Sequence, residues 1–138
     1  AVPGSGAIPV DRLLAAADIV RIHCPLTPET RHMINQDALA RMKRPAYLTN
    51  TSRGSVVDEA ALAWALKNGI ISGAALDVYE DEPNVHQDLM TLENVVLAPH
   101  LGSATTETRT AMADLAVRNA IAVLSGQSPL TPVSPGTP

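Results

Sequence analysis

The chain alternates short apolar runs with segments whose apolar residues recur at helical spacing. Residues 10–17 read as a short helix and 18–24 (DIVRIHC) as a strand. Residues 25–30 (PLTPET) read as a loop, because two prolines cannot sit in a helix interior. Residues 35–43 predict a helix with Asn35 as N-cap, and 46–51 (AYLTNT) a second strand. Residues 58–68 predict a helix capped by Asp58 and closed by Gly69. Residues 70–78 (IISGAALDV) and 94–98 (NVVLA) supply a third and a fourth strand. Residues 105–124 form the longest helix, with Met112, Leu115, Ala116, Ala120 and Val123 on one stripe and Gly126 at its end. Strands alternating with helices predict an α/β fold with parallel pairing and right-handed crossovers. The tail, 127–138, is proline-rich and expected to be loose.

Composition narrows this picture. At 138 residues the chain is one domain's worth. Apolar residues make up 46% and aromatic ones 2%, so the core must be built from Ala, Leu, Val and Ile, as under a parallel sheet. The net charge is −4, without a Lys/Arg cluster, which argues against nucleic acid and acidic membranes as partners. No apolar run is long enough to span a bilayer, and cytoplasm is the default location. A single cysteine, Cys24, excludes an internal disulfide and a thiolate-rich metal site, and no metal is expected.

In a parallel sheet, ligands bind at the carboxyl ends of the strands. Arg53 in NTSRG, Glu82 in DVYEDEP and His100 in PHLGS each lie just past an apolar run. Residues distant in sequence thus converge on one edge. An arginine, a carboxylate and a histidine can hold a 2-oxo acid and protonate its carbonyl, although convergence does not by itself specify the reaction. Taken singly, Arg53 reads as a surface charge before a glycine turn, and Glu82 as a solvated carboxylate in an acidic turn. His23 and Cys24 read as the end of a buried strand, His32 as a surface or loop residue, and His86 as loop filler. Ser103 near His100 lacks the G-x-S-x-G elbow of a hydrolase.

The stretches ADIVRIHCPLTPETRHMIN, LTNTSRGSVVDEAALAWAL, GAALDVYEDEP and NVVLAPHLGSATTETRTAM occur in order and at characteristic spacing. From residue 10 to 133 the chain resembles the C-terminal half of the NAD(P)-dependent D-isomer-specific 2-hydroxyacid dehydrogenases. EPNVHQDL, ETRTAM and PLTPV look most like glyoxylate/hydroxypyruvate reductases. The resemblance implies that Arg53 clamps the substrate carboxylate, which suits a planar fork of donors. It implies that His100 is the general acid in reduction, and that Glu82 accepts from the other imidazole nitrogen and stabilises the imidazolium. Asp77 would take the nicotinamide carboxamide, Pro25 and Thr51 would line the ribose and nicotinamide region, and Gly102 and Ser103 would let the chain pass close to the ring. The cofactor would be NAD or NADP and the substrate a small 2-oxo acid; the full-length form would be a homo-oligomer, a dimer.

The resemblance also implies an incomplete fold: a partial doubly wound parallel sheet of Rossmann type, lacking the first two strands and the glycine-rich loop. Residues 1–126 would form this incomplete dinucleotide-binding domain and 127–138 the C-terminal tail. Gly4-Ser5-Gly6-Ala7-Ile8-Pro9 imitates the opening of a glycine loop, but no strand precedes it and proline replaces the third glycine. The family's own loop and its substrate domain would lie upstream of Ala1. In the order 3-2-1-4-5-6, DIVRIHC is expected as strand three and AYLTNT as strand four. The absent strands would then leave a gap of roughly 14 Å, three spacings of ~4.8 Å, between them. Re-pairing, strands borrowed from another molecule, or a longer product would close it. Two functions remain: a piece of a reductase for glyoxylate or hydroxypyruvate, inactive in isolation, or a non-catalytic remnant that associates with proteins.

Overall fold

The computed structural model describes residues 7–133. Gly4 and Gly6 of the imitation glycine loop lie outside them. The described residues form two compact units that divide between His100 and Leu101. The first contains α1 (Val10–Ala16), β1 (Ile19–Ile22), α2 (Gln36–Arg41), β2 (Tyr47–Asn50), α3 (Glu59–Lys67), β3 (Gly73–Leu76) and β4 (Val95–Leu97). Short 3₁₀ turns at Gly54–Val56 and Leu89–Thr91 precede α3 and β4. The strands are shorter than the apolar runs that predict them, because the ends of those runs turn out of the ladder into loops.

Helix boundaries follow local chemistry. Asn35 Oδ1 accepts the Ala38 N–H at 3.0 Å and Asp58 Oδ1 the Ala61 N–H at 2.9 Å, which satisfies first-turn donors that no helical carbonyl can reach. After α3 the chain reverses at Gly69, where φ is +62°, a conformation that costs an L side chain steric strain.

The four strands form one parallel sheet in the order β1-β2-β3-β4. Ile19 pairs with Tyr47 and Ile22 with Asn50, so β1 and β2 are direct neighbours. This corrects the expected gap. DIVRIHC is not strand three of the 3-2-1-4-5-6 order; with AYLTNT, GAAL and VVL it forms a run of consecutive neighbours. A single crossover through α2 connects β1 to β2, and their backbone groups satisfy one another directly.

Strand alternation sorts the two sheet faces. Val20, Ile22, Leu48 and Leu76 point to one side and are buried with Leu14, Leu39, Leu62 and Leu66 of α1, α2 and α3. Each such leucine contributes about 1.5–3 kcal/mol by leaving water. Ile19, Tyr47 and Val96 point to the other side and are exposed. Ile34, Val56 and Val57 extend the core beneath the connections, where Ile34 bridges Val57.

The second unit holds α4 (Thr106–Leu124). Thr105 Oγ1 caps it from the Thr108 N–H at 3.1 Å, and Gly126 ends it with φ +74°. The segment expected as a loose tail starts anchored: Thr131 N–H donates to Asn119 Oδ1 at 3.1 Å, and Asn119 Nδ2 donates to Thr131 Oγ1 at 3.0 Å. Among the described residues, no helix is long and apolar enough to cross a membrane.

Candidate active site

Because all four strands are parallel, the segments that follow them leave the sheet at one edge. Pro25 lies three residues past β1, Thr51 and Asp77 directly follow β2 and β3, and His100 lies three residues past β4. Each departing segment is tied to its neighbour. The Ser52 hydroxyl donates to the Cys24 carbonyl, joining the ends of β2 and β1. The Asp77 N–H donates to the Asn50 carbonyl at 3.0 Å, and the Ala98 N–H to the Leu76 carbonyl at 2.9 Å.

Arg53 is placed by a buried amide. Asn50 has no exposed surface; its Oδ1 accepts the Ser52 N–H at 3.1 Å and its Nδ2 donates to the Arg53 carbonyl at 2.9 Å. The turn after β2 is therefore fixed from inside, while the Arg53 guanidinium remains exposed and donates to the Ser52 carbonyl at 2.8 Å. Gly54 then passes against the β3 exit. A Cβ at this position would sit 1.9 Å from both the carbonyl carbon and the oxygen of Tyr79. Only glycine permits this approach, which brings the segment carrying Arg53 against the one carrying Glu82.

Glu82 and His100 form a pair. His100 Nδ1 and Glu82 Oε2 are 2.8 Å apart, and Glu82 Oε1 accepts the Tyr79 N–H at 3.1 Å. The hydrogen bond from His100, then that from Tyr79, hold the Glu82 carboxyl below its usual range. The charges of His100 and Arg53 act in the same direction against a partial desolvation that opposes them. The ionised carboxylate can only accept, so the proton of this bond resides on Nδ1 and Nε2 is left for chemistry. His100 adopts φ +53°, a left-handed conformation that costs a non-glycine residue on the order of 1 kcal/mol and points to a functional constraint. Tyr79 steadies the same corner, since its hydroxyl donates to the Ala98 carbonyl at 2.8 Å. Burial, followed by the nearby Asp77 and Glu59 charges, pushes that phenol's pKa up.

Arg53, Glu82 and His100 line one cavity of about 410 Å³, together with Leu26, Gly54, Ser55, Tyr79 and Glu80. A second cavity of about 460 Å³ adjoins the pair on the side of Pro83, Val85, Met90 and Leu97. Gly102 and Ser103 belong to the second unit. Sequence reasoning missed Asn50, Gly54, Glu59, Tyr79 and Glu80. A buried Asn at a strand end and a glycine after NTSR carry faint signals. Glu59, one residue past a cap, reads only as an ordinary first-turn acid.

The family model described as "D-isomer specific 2-hydroxyacid dehydrogenase, NAD binding domain" matches residues 3–102. A glyoxylate reductase of Thermofilum pendens is 58% identical over 121 residues, 87% of this chain and 36% of that protein. A glyoxylate/hydroxypyruvate reductase B of Serratia proteamaculans is 57% identical over 118 residues, 85% of this chain and 36% of that protein. Among solved structures, an NADPH-dependent glyoxylate/hydroxypyruvate reductase from Sinorhizobium meliloti, in complex with NADP and malonate, superposes with a TM-score of 0.83. It is 45% identical, over 91% of this chain and 39% of that one. The chain thus spans well under half the length of these relatives.

Proposed function

Because the chain belongs to the D-isomer specific 2-hydroxyacid dehydrogenase family, we propose that it is the catalytic-edge portion of an NAD(P)-dependent reductase acting on a small 2-oxo acid of the glyoxylate or hydroxypyruvate kind. The observation that carries this reading is the 2.8 Å His100–Glu82 pair sharing one cavity with the exposed Arg53. When bound, a reduced nicotinamide supplies hydride. The residues present fit such a group: Pro25, Thr51 and Asp77 succeed three adjacent strands at one edge, the first two of them open to solvent. They would hold the nicotinamide end.

The remaining chemistry belongs to the side chains. Arg53 uses one N–H on the Ser52 carbonyl and offers the rest of its fork to the substrate carboxylate. His100 gives the proton on Nε2 to the carbonyl oxygen as negative charge develops there. Glu82, ionised and fixed by Tyr79, keeps the Nδ1 proton in place and balances the imidazolium. The 138-residue polypeptide alone is inactive in this reading, because its described residues hold no glycine loop on which a pyrophosphate could rest.

The test joins this chain to the remaining portion of the Thermofilum pendens glyoxylate reductase and follows NADPH oxidation with glyoxylate. Turnover is expected, with His100→Ala lowering kcat by about 10²–10⁴, the usual worth of a positioned general acid. Arg53→Ala should raise KM for glyoxylate. A folded chimera that binds NADPH but reduces nothing would overturn the proposal and favour a protein-association role.

A further inference from the structure

Glu59 is a charged side chain where charge is costly: its residue is 5% exposed, at the first position of α3. Its oxygens are not spent on its own helix. Oε1 accepts the N–H of Glu80 at 2.7 Å, and Oε2 accepts the N–H of His86 at 3.2 Å. One carboxylate thus ties both ends of the segment from Glu80 to His86, and Glu82 lies between them. The tie is reciprocated: Glu80 Oε1 accepts the Glu59 N–H at 2.8 Å, and Glu80 Oε2 lies 2.7 Å from His32 Nε2. His32, at φ +50°, donates its own N–H to the Ser55 carbonyl at 2.8 Å, next to Gly54. The helix start, the β3 exit and the turn carrying Arg53 are therefore joined through two carboxylates.

From this geometry we propose that Glu59 is a positioning residue for the Glu82–His100 pair. It acts as a two-ended staple whose two acceptor oxygens set the shape of the loop that presents Glu82. The proposal rests on the functional reading above for its purpose, but not for its test. A carboxylate is required because both ends of the loop present donors. An ionised carboxylate only accepts, whereas an amide of the same shape must turn an NH₂ toward one of the two N–H groups. Glu59→Gln therefore releases one end of the loop at constant volume. The groups that face Glu82 and could otherwise change its titration are His100 and Arg53 across the cavity and Tyr79 and Glu80 on its own segment.

The experiment titrates the Glu82 carboxyl by ¹³C NMR in the 138-residue chain, without cofactor or substrate. His100→Ala defines the upward shift that follows loss of its partner. In Glu59→Gln the Glu82 pKa should rise by at least half of that shift, while helical circular dichroism is retained. Glu59→Asp keeps the charge but is too short to reach both ends, and it should fall between wild type and Glu59→Gln. A folded Glu59→Gln protein with an unmoved Glu82 titration would overturn the proposal. Should neither variant fold, amide exchange in the wild type decides. The staple requires the Glu80 and His86 N–H groups to be protected together, and a freely exchanging His86 amide would refute it. Loss of turnover in the chimera with an intact Glu82 response would sink the functional reading and leave the staple standing.

Discussion

Replacing Gly54 with alanine tests the close approach on which the site depends. The new Cβ would lie 1.9 Å from the carbonyl carbon and oxygen of Tyr79 and 2.5 Å from the Glu80 nitrogen, whereas real Cβ atoms essentially never come closer than 3.0 Å to such neighbours. The two backbones must part by about 1.1 Å, the difference between 1.9 and 3.0 Å. Neither can yield cheaply. On one side Val56 and Val57 are buried, and the Asp58 N–H donates to the Ile34 carbonyl at 3.0 Å. On the other, Tyr79 and Glu80 are held by Glu82, Ala98 and Glu59. Overpacking costs typically ~1–3 kcal/mol, and a clash between two anchored main chains belongs at or above the top of that range. We expect a loss of about 3 kcal/mol or more, against a total of roughly 7–20 kcal/mol for a chain of this size. Urea unfolding followed by fluorescence of the lone Trp64, which reports on the first unit, measures it. With a slope of about 1–3 kcal/mol per molar, the midpoint should fall by roughly 1–3 M. Glu82 should also titrate nearer its ordinary value, since the Tyr79 N–H moves away. A Gly54→Ala protein within about 1 kcal/mol of wild type, at unchanged slope, would refute the contact.

Three further outcomes are expected. Glu82 has a folded pKa below its ordinary value of 4.5, so its stabilising contribution is present above that value and lost as pH falls through the lower folded one; the stability difference between wild type and Glu82→Gln should therefore shrink in acid, measured as urea midpoints at stepped pH. Asn50→Ala removes both bonds that fix the Arg53 turn at a site with no exposure; it should cost about 1–3 kcal/mol in urea unfolding and raise KM for glyoxylate in the chimera. The 138-residue polypeptide alone should show no NAD(H) or NADP(H) binding at micromolar concentration by calorimetry. In this fold the pyrophosphate rests on a glycine loop and a helix N-terminus, and micromolar affinity would locate the cofactor elsewhere.

The elements were legible because their signals are local. Asn35, Asp58 and Thr105 cap helices through bonds to residues three positions on, and Gly69 and Gly126 end them through their own φ. The candidate trio was legible for a related reason. In a parallel sheet every strand exit lies at one edge, so Arg53, Glu82 and His100 share a neighbourhood once the strands are recognised. Strand neighbours were a different matter. Hydrogen bonds between β1 and β2 are made by backbone groups that every residue carries, and DIVRIHC would look the same beside AYLTNT or three spacings away. Only the folded register, Ile19 on Tyr47 through Ile22 on Asn50, decided it. Glu59, too, is a plain helix-start acid in the sequence. Its role depends on the N–H groups of Glu80 and His86, twenty-one and twenty-seven residues away. Those donors reach it only after the core of Leu48, Leu62 and Leu76 has brought α3 and the β3 exit together. Local chemistry thus determined where elements begin and end, while burial and the pairing of distant polar groups decided which of them meet.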